Sequence, residues 1–171
     1  MPNHVAHVHE KDNKLYFCDV ASNVGTINII HTTKASVEGD TNDGSTYNAL
    51  DTYYGWYPTT LESYGNDLVI GLIEGTDTTV KQKNAKILFW DTSSVSYNNL
   101  ISKELPDPLV TAMKNVNGVL YVFTGSATGG CRVLRYAGGY TFQEVYYDED
   151  GFPPFHGAVD HILSKVLWGG H

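Results

Sequence analysis

The stretch VTAMKNVNGVLYV, residues 110–122, indicates two short strands joined by a tight turn. Its centre, Asn117-Gly118, is the dipeptide that most favours the two-residue turns of β-hairpins. Three further stretches align with it without a gap, at residues 5–17, 58–70 and 156–168. The alignment predicts one hairpin that is repeated four times along the chain, at a period of roughly fifty residues.

Three positions of this repeat are apolar in all four copies. In copy order they are Val8, Leu61, Met113 and Val159; Leu15, Leu68, Leu120 and Val166; and Phe17, Ile70, Val122 and Trp168. A polar turn separates the two strands of the hairpin, except in the fourth copy, which has Leu163-Ser164 there. The apolar positions predict that each hairpin buries side chains in a shared core.

Further strand-length segments follow each hairpin. A third strand is predicted at 26–31, 86–91 and 131–136, and a fourth at 46–54, 100–105 and 141–147. Four antiparallel strands per repeat resemble one blade of a β-propeller. The segment 85–92, AKILFWDT, is similar to the Trp-Asp ending of a WD40 blade, although the other copies lack Trp-Asp at this point.

The resemblance implies an all-β fold in which blades stack around an axis and cover one another's faces. We therefore expect residues 1–171 to form one domain, a partial β-propeller of about three and a half four-stranded antiparallel blades. The blades would span approximately 4–54, 58–105, 109–147 and, incompletely, 155–171. Propellers usually close with about four to eight blades. Either the chain is a fragment of a longer propeller, or a protein partner or second copy completes the ring.

Composition excludes several other classes. The 18.9 kDa chain has a formal net charge of −8, which argues against a nucleic-acid partner. It contains no apolar run long enough for a membrane span and begins without a visible signal peptide, so its compartment stays open. Two cysteines without a CxxC pair indicate neither a disulfide scaffold nor a structural zinc module, and no cofactor is expected.

One polar position of the repeat is a candidate for chemistry. It holds His9, Glu62, Lys114 and Asp160, which would form a ring if the first strands line an axis. Glu62 and Asp160 would be the catalytic acids of a glycosidase, whose mechanism depends on carboxylate separation. His9, Glu62 and Asp160 are also the candidate ligands for a cation, but Lys114 in the same ring opposes one, so no metal is expected.

Aromatic residues supply the main indication of binding. Tyr53, Tyr54, Trp56 and Tyr57 crowd the start of the second repeat and could stack on sugar rings or form a protein hot spot. His7 and His9 share one face of their strand and are included as ligand-binding candidates. The alternative for all of these residues is packing between blades.

The sequence favours a non-catalytic binding or assembly scaffold. Its partner would be a protein or a second copy, and a carbohydrate ligand is possible in principle because of the aromatic clusters. One alternative is a carbohydrate-active enzyme that uses the axial carboxylates. A third is a structural component of a virion or tail, by analogy with other β chains rich in Tyr, Asn, Thr and Gly.

Overall fold

The computed structural model describes residues 5–12, 14–19, 28–29, 32–33, 56–74, 83–92, 100–154, 159–162 and 165–168. Within these ranges every regular element is a β-strand, and all strand pairs are antiparallel. The same ranges contain no helix with the length and apolar character needed to cross a membrane. The expectation of an all-β chain with four-stranded antiparallel sheets is confirmed.

The strands form four sheets in chain order. The first sheet contains β1 (Val5–Lys11), β2 (Lys14–Asp19), β3 (Asn28–Ile29) and β4 (Thr32–Thr33). The second contains β5 (Trp56–Tyr64), β6 (Asp67–Glu74), β7 (Lys86–Trp90) and β8 (Ile101–Glu104). The third contains β9 (Leu109–Val116), β10 (Val119–Gly125), β11 (Cys131–Gly138) and β12 (Thr141–Asp148). The fourth contains β13 (Val159–Ile162) and β14 (Lys165–Trp168).

The second and third sheets are simple meanders, in which each strand pairs with the next one along the chain. In the first sheet β2 is central and pairs with β1, β3 and β4. The third strands predicted at 86–91 and 131–136 and the fourth strands predicted at 100–105 and 141–147 are present with bounds shifted by one or two residues. Of the third strand predicted at 26–31, the described residues are Asn28 and Ile29, which form β3. The fourth strand predicted at 46–54 lies outside the described residues.

The hairpin turns repeat in backbone conformation as well as in sequence. Asp12, Gly65 and Asn117 occupy the same position of the repeat, and their φ angles are +53°, +58° and +52°. Gly118 follows Asn117 with φ at +80°. Positive φ at a two-residue turn matches the twist of the flanking strands, and Gly, Asn and Asp tolerate it best. The turn residues therefore set the hairpin register in each of these copies.

A β-bulge also recurs at one position of the repeat. The pairing skips Ala6 between Val5 and His7, and it skips Thr59 and Thr111 at the equivalent points of β5 and β9. A bulge adds one unpaired residue, bends its strand and redirects a side chain. The same irregularity in three first strands supports the gapless alignment of these copies.

The core consists of separate clusters between consecutive sheets. Alternate residues of β6 face opposite ways, so Leu68 and Ile70 pack with Tyr16 of the first sheet, whereas Val69 packs with Met113 of the third. The remaining cluster joins Phe123, Ala112 and Val133 of the third sheet to Val159 of the fourth. The second and third sheets therefore bury apolar side chains on both faces.

The first strands of the sheets lie side by side. β1 contacts β5, β5 contacts β9, and β9 contacts β13, in chain order. The later strands of each sheet extend away from this row, since each sheet is built outward by strand pairing from its first strand. Most of the candidate site residues lie along this row of first strands.

Candidate functional site

The two histidines of β1 connect the first sheet to the second. His7 Nδ1 accepts a hydrogen bond from the backbone N–H of Leu61 at 2.7 Å, and His9 Nε2 is hydrogen-bonded to Ser63 Oγ at 2.8 Å. Both side chains are half-buried, and their ring centroids are 6.2 Å apart. The prediction that His7 and His9 share a face agrees with these contacts, which bind the neighbouring strand β5.

Threonine and asparagine make the corresponding contacts between the second and third sheets. Thr59 Oγ1 donates a hydrogen bond to the carbonyl oxygen of Val110 at 2.6 Å. Asn115 Nδ2 donates one to the carbonyl oxygen of Ser63 at 2.9 Å. These two bonds satisfy backbone carbonyls of adjoining first strands, where an unpaired buried carbonyl would cost free energy.

The third sheet contacts both the fourth sheet and the link that precedes it. Lys114 Nζ forms an ion pair with Asp160 Oδ1 of β13 at 3.4 Å, and Thr111 Oγ1 donates a hydrogen bond at 2.6 Å to the carbonyl oxygen of Pro154, in the link between β12 and β13. Thr59 and Thr111 are the bulged residues of their strands, and each donates its hydroxyl to a backbone carbonyl outside its own sheet. The gapless alignment places both threonines at one position of the repeat, but the sequence did not predict this role.

The residues predicted to form a polar ring make contacts of different kinds. Lys114 and Asp160, which share the ring position in successive copies, meet as the ion pair. Glu62 Oε1 accepts a hydrogen bond from the backbone N–H of Ser63 at 3.0 Å. Glu62 and Asp160 as a pair of catalytic acids remain a prediction. Within the described part of the chain, no three His, Cys, Asp or Glu side chains are grouped to hold a metal ion.

The aromatic candidates separate into core and half-exposed residues. Trp56 is only 7% exposed and belongs to the cluster between the first two sheets. The ammonium of Lys86 lies 4.3 Å from the centroid of its ring, a cation–π contact that covers the remaining face. Tyr57 is half-buried, and Tyr53 and Tyr54 lie outside the described residues. Trp56 therefore packs between sheets, and a ligand-binding role for this group remains a prediction.

A charged network closes one end of the third sheet. Asp107 Oδ2 accepts hydrogen bonds from Thr124 Oγ1 at 2.5 Å and from Arg132 Nε at 2.9 Å. Arg132 also forms an ion pair with Glu144. The network connects β10, β11 and β12 to the link before β9, and the Arg132 guanidinium lies between the carboxylates of Asp107 and Glu144.

The buried thiol of this sheet is not activated. Burial raises the pKa of Cys131, and the nearby carboxylates of Asp148 and Asp107 raise it further. A thiol acts as a nucleophile through its thiolate, which a raised pKa disfavours at neutral pH. Cys131 is therefore a core residue of β11.

Val8 and Leu167 are exposed at repeat positions whose other members pack against a neighbouring sheet. Val8 is 44% exposed, whereas the residues at its position in the later copies are buried against the preceding sheet: Leu61, Met113 and Val159. Leu167 is 46% exposed, whereas Tyr16 and Val69 at its position are buried and Tyr121 packs against the following sheet. We call the side of the first sheet at Val8 the first end face, and the side of the fourth sheet at Leu167 the last end face.

No protein-family model, curated protein or solved structure matches the chain. The functional conclusion therefore depends on the two features that the described residues provide. One is the row of polar bonds that connects successive first strands, from His7 to Asp160. The other is the pair of apolar end faces.

Proposed function

We propose that the chain is part of a β-propeller, with each sheet as one blade, and that it acts as a non-catalytic scaffold for binding or assembly. The adjacent first strands, the repeated bulge and the clusters between consecutive sheets all support this proposal. A four-stranded sheet cannot bury both of its faces alone, whereas stacking around an axis covers each face with a neighbour.

The observation that carries the scaffold function is the exposure of Val8 and Leu167. Each is exposed at a position where the other copies are covered by a neighbouring sheet. A single exposed aliphatic residue is ordinary in itself, but these two occupy repeat positions that elsewhere meet a neighbouring sheet, which supports the proposal that each face receives a further sheet. The fitting partner is a protein that presents a β-sheet face of the same kind, and a protein partner is favoured over a carbohydrate because Leu167 and Val8 are aliphatic.

The state of the chemically active side chains also favours a scaffold over an enzyme. His7, His9 and Lys114 each bond to the neighbouring sheet, and Asp160 is paired with Lys114. These side chains serve to connect blades.

The first experiment compares the scaffold with the glycosidase alternative. Wild-type protein and a variant with Glu62→Gln and Asp160→Asn are incubated with a panel of aryl glycosides. The scaffold predicts no release of aryl alcohol above buffer for either protein. Hydrolysis by the wild type that the double variant loses would replace the scaffold with an enzyme that uses these two acids.

A second experiment tests the blade geometry by carbodiimide coupling, which joins a contacting amine and carboxylate as an amide. We expect a linked peptide pair between Lys114 and Asp160, which are 3.4 Å apart across two first strands. The pair Lys83–Glu74, 2.7 Å apart, is the positive control. Lys114→Arg should abolish only the first link, since arginine is not acylated. Coupling of the control pair without Lys114–Asp160 would contradict the stacked arrangement.

A further inference from the structure

Every junction between consecutive sheets follows one rule of side-chain placement. The earlier sheet contributes the position of Tyr16, Val69 and Tyr121, and the later sheet contributes the position of Leu61, Met113 and Val159. The members of the two columns meet in the cluster between their sheets. Each of the three junctions therefore combines one face of each type.

The chain exposes one face of each type. Leu167, on the last end face, belongs to the column that meets a following sheet, and Val8, on the first end face, belongs to the column that meets a preceding sheet. Among the described residues, no further sheet covers either side chain. The last end face of one chain is thus matched to the first end face of another by the pattern that already holds three junctions together.

The polar residues of the same strands are compatible with this match. At the third junction the ring position contributes Lys114 from the earlier sheet and Asp160 from the later one. A junction between two chains would bring the ring position of the fourth sheet, Asp160, beside that of a first sheet, His9. A carboxylate and an imidazole do not carry like charges, so this position does not oppose the contact, whereas two carboxylates would have repelled each other.

We infer that a second copy of this chain binds head to tail, with the last end face of one copy seated on the first end face of the other. The inference rests on the proposed function, because the end faces match only if the sheets stack as blades. Such an interface is heterologous, so it closes into a ring if the rotation allows and otherwise extends as a chain of copies. Burial of Leu167 and Val8 supplies the apolar contact.

The test measures mass in solution by light scattering over a range of protein concentrations. Wild-type protein should reach at least twice the chain mass of 18.9 kDa and dissociate on dilution. Val8→Glu places a charge on the first end face, and Leu167→Glu places one on the last end face. Each variant alone should be monomeric, because any contact between two of its copies would bury that charge. Both side chains are well exposed, so circular dichroism and thermal melting should show that the variants keep the wild-type fold.

Mixing the two variants distinguishes a head-to-tail contact from any other. The Val8→Glu chain keeps its last end face and the Leu167→Glu chain keeps its first end face, so the mixture should regain a dimer through one intact junction. Val145→Glu is the matched control, since Val145 is 47% exposed on β12 outside both end faces, and it should associate like the wild type.

Three results would overturn the inference. They are a wild-type protein that stays monomeric at every concentration, association that neither face variant weakens, and a mixture of the face variants that remains monomeric. If one of these occurs while Lys114 and Asp160 still couple, the blade arrangement stands and only the second copy as partner is wrong. If the coupling also fails, the proposed function fails with it.

Discussion

Substitution of Gly71 by alanine tests how tightly this position is enclosed by Thr60 of its own sheet and Val110 of the third. Gly71 lies in β6, and a Cβ atom there would be 2.7 Å from Thr60 Cγ2 and 3.1 and 3.2 Å from the two methyl carbons of Val110. Real Cβ atoms avoid a contact of 2.7 Å. The equivalent position of the third sheet holds Phe123, which is fully buried toward the fourth sheet. The space between Gly71 and the side chains of Thr60 and Val110 is therefore too small for a side chain at residue 71.

The expected loss of stability combines two opposing effects. Overpacking of a dense core costs about 1–3 kcal/mol, because the β-branched Thr60 and Val110 have little freedom to move. Replacement of glycine by alanine reduces the conformational entropy of the unfolded chain, which by itself would raise the free energy of unfolding by about 0.4–1 kcal/mol. The net fall in the free energy of unfolding is about 1–2 kcal/mol, and at roughly 2–4 °C for each kcal/mol the melting temperature should drop by about 2–8 °C.

The assay is urea unfolding followed by tryptophan fluorescence, with thermal melting by circular dichroism as the second measurement. The matched control is Thr60→Ser, which removes only the methyl group in the closest contact. In that background Gly71→Ala should cost at least about 0.5 kcal/mol less, and this difference is the coupling between the two positions. A Gly71→Ala protein as stable as the wild type would refute the tight enclosure of this position, and a cycle without coupling would refute Thr60 as the residue that restricts it.

Two further predictions concern the hydrogen bond from Thr111 to Pro154 and the half-buried carboxyl group of Asp67. Thr111→Val, which loses the hydrogen bond to Pro154, should lower the free energy of unfolding in urea by about 0.5–1.5 kcal/mol, whereas Thr111→Ser should retain most of it; equal losses in both variants would contradict the bond. Burial raises the pKa of Asp67, and the charge of Asp91 raises it further, so the charged carboxylate is disfavoured in the folded state. The contribution of Asp67 to the free energy of unfolding therefore falls as the pH rises from the pKa of this group in the unfolded chain to its higher pKa in the folded protein. Asp67→Asn should raise the melting temperature at pH 7 and lose this advantage below about pH 3.5, where both states are protonated; a variant less stable than the wild type at pH 7 would count against it.

The repeated hairpins could be predicted from the sequence because their causes are local. The turn positions Asp12, Gly65 and Asn117 adopt positive φ, and polar residues and glycine at these points mark the turn within a few residues of each strand. The apolar positions of β6 and β10 also follow from alternation along a single strand. Strand order in the third sheet then follows from its short connections, 117–118, 126–130 and 139–140.

The roles of the candidate site residues could not be predicted, because they depend on contacts between residues about fifty positions apart. A group of aromatic residues suits both a ligand-binding surface and a core, and it is the packing of the first and second sheets that places Trp56 in the cluster with Tyr16. The pairing of Lys114 with Asp160 likewise requires two first strands to lie side by side. The sequence places both residues at one position of the repeat but does not indicate that they touch.

The sequence by itself therefore determined the repeat, the hairpin turns and the all-β class, since these arise from the spacing of residues within one strand pair. Only the tertiary structure decided which face of each sheet is covered and which is exposed. Val8 and Leu61 are both aliphatic residues at one position of the repeat, and their sequence surroundings do not distinguish their burial. The difference arises from the neighbouring sheet, because burial is a property of what packs against a side chain and not of the side chain alone.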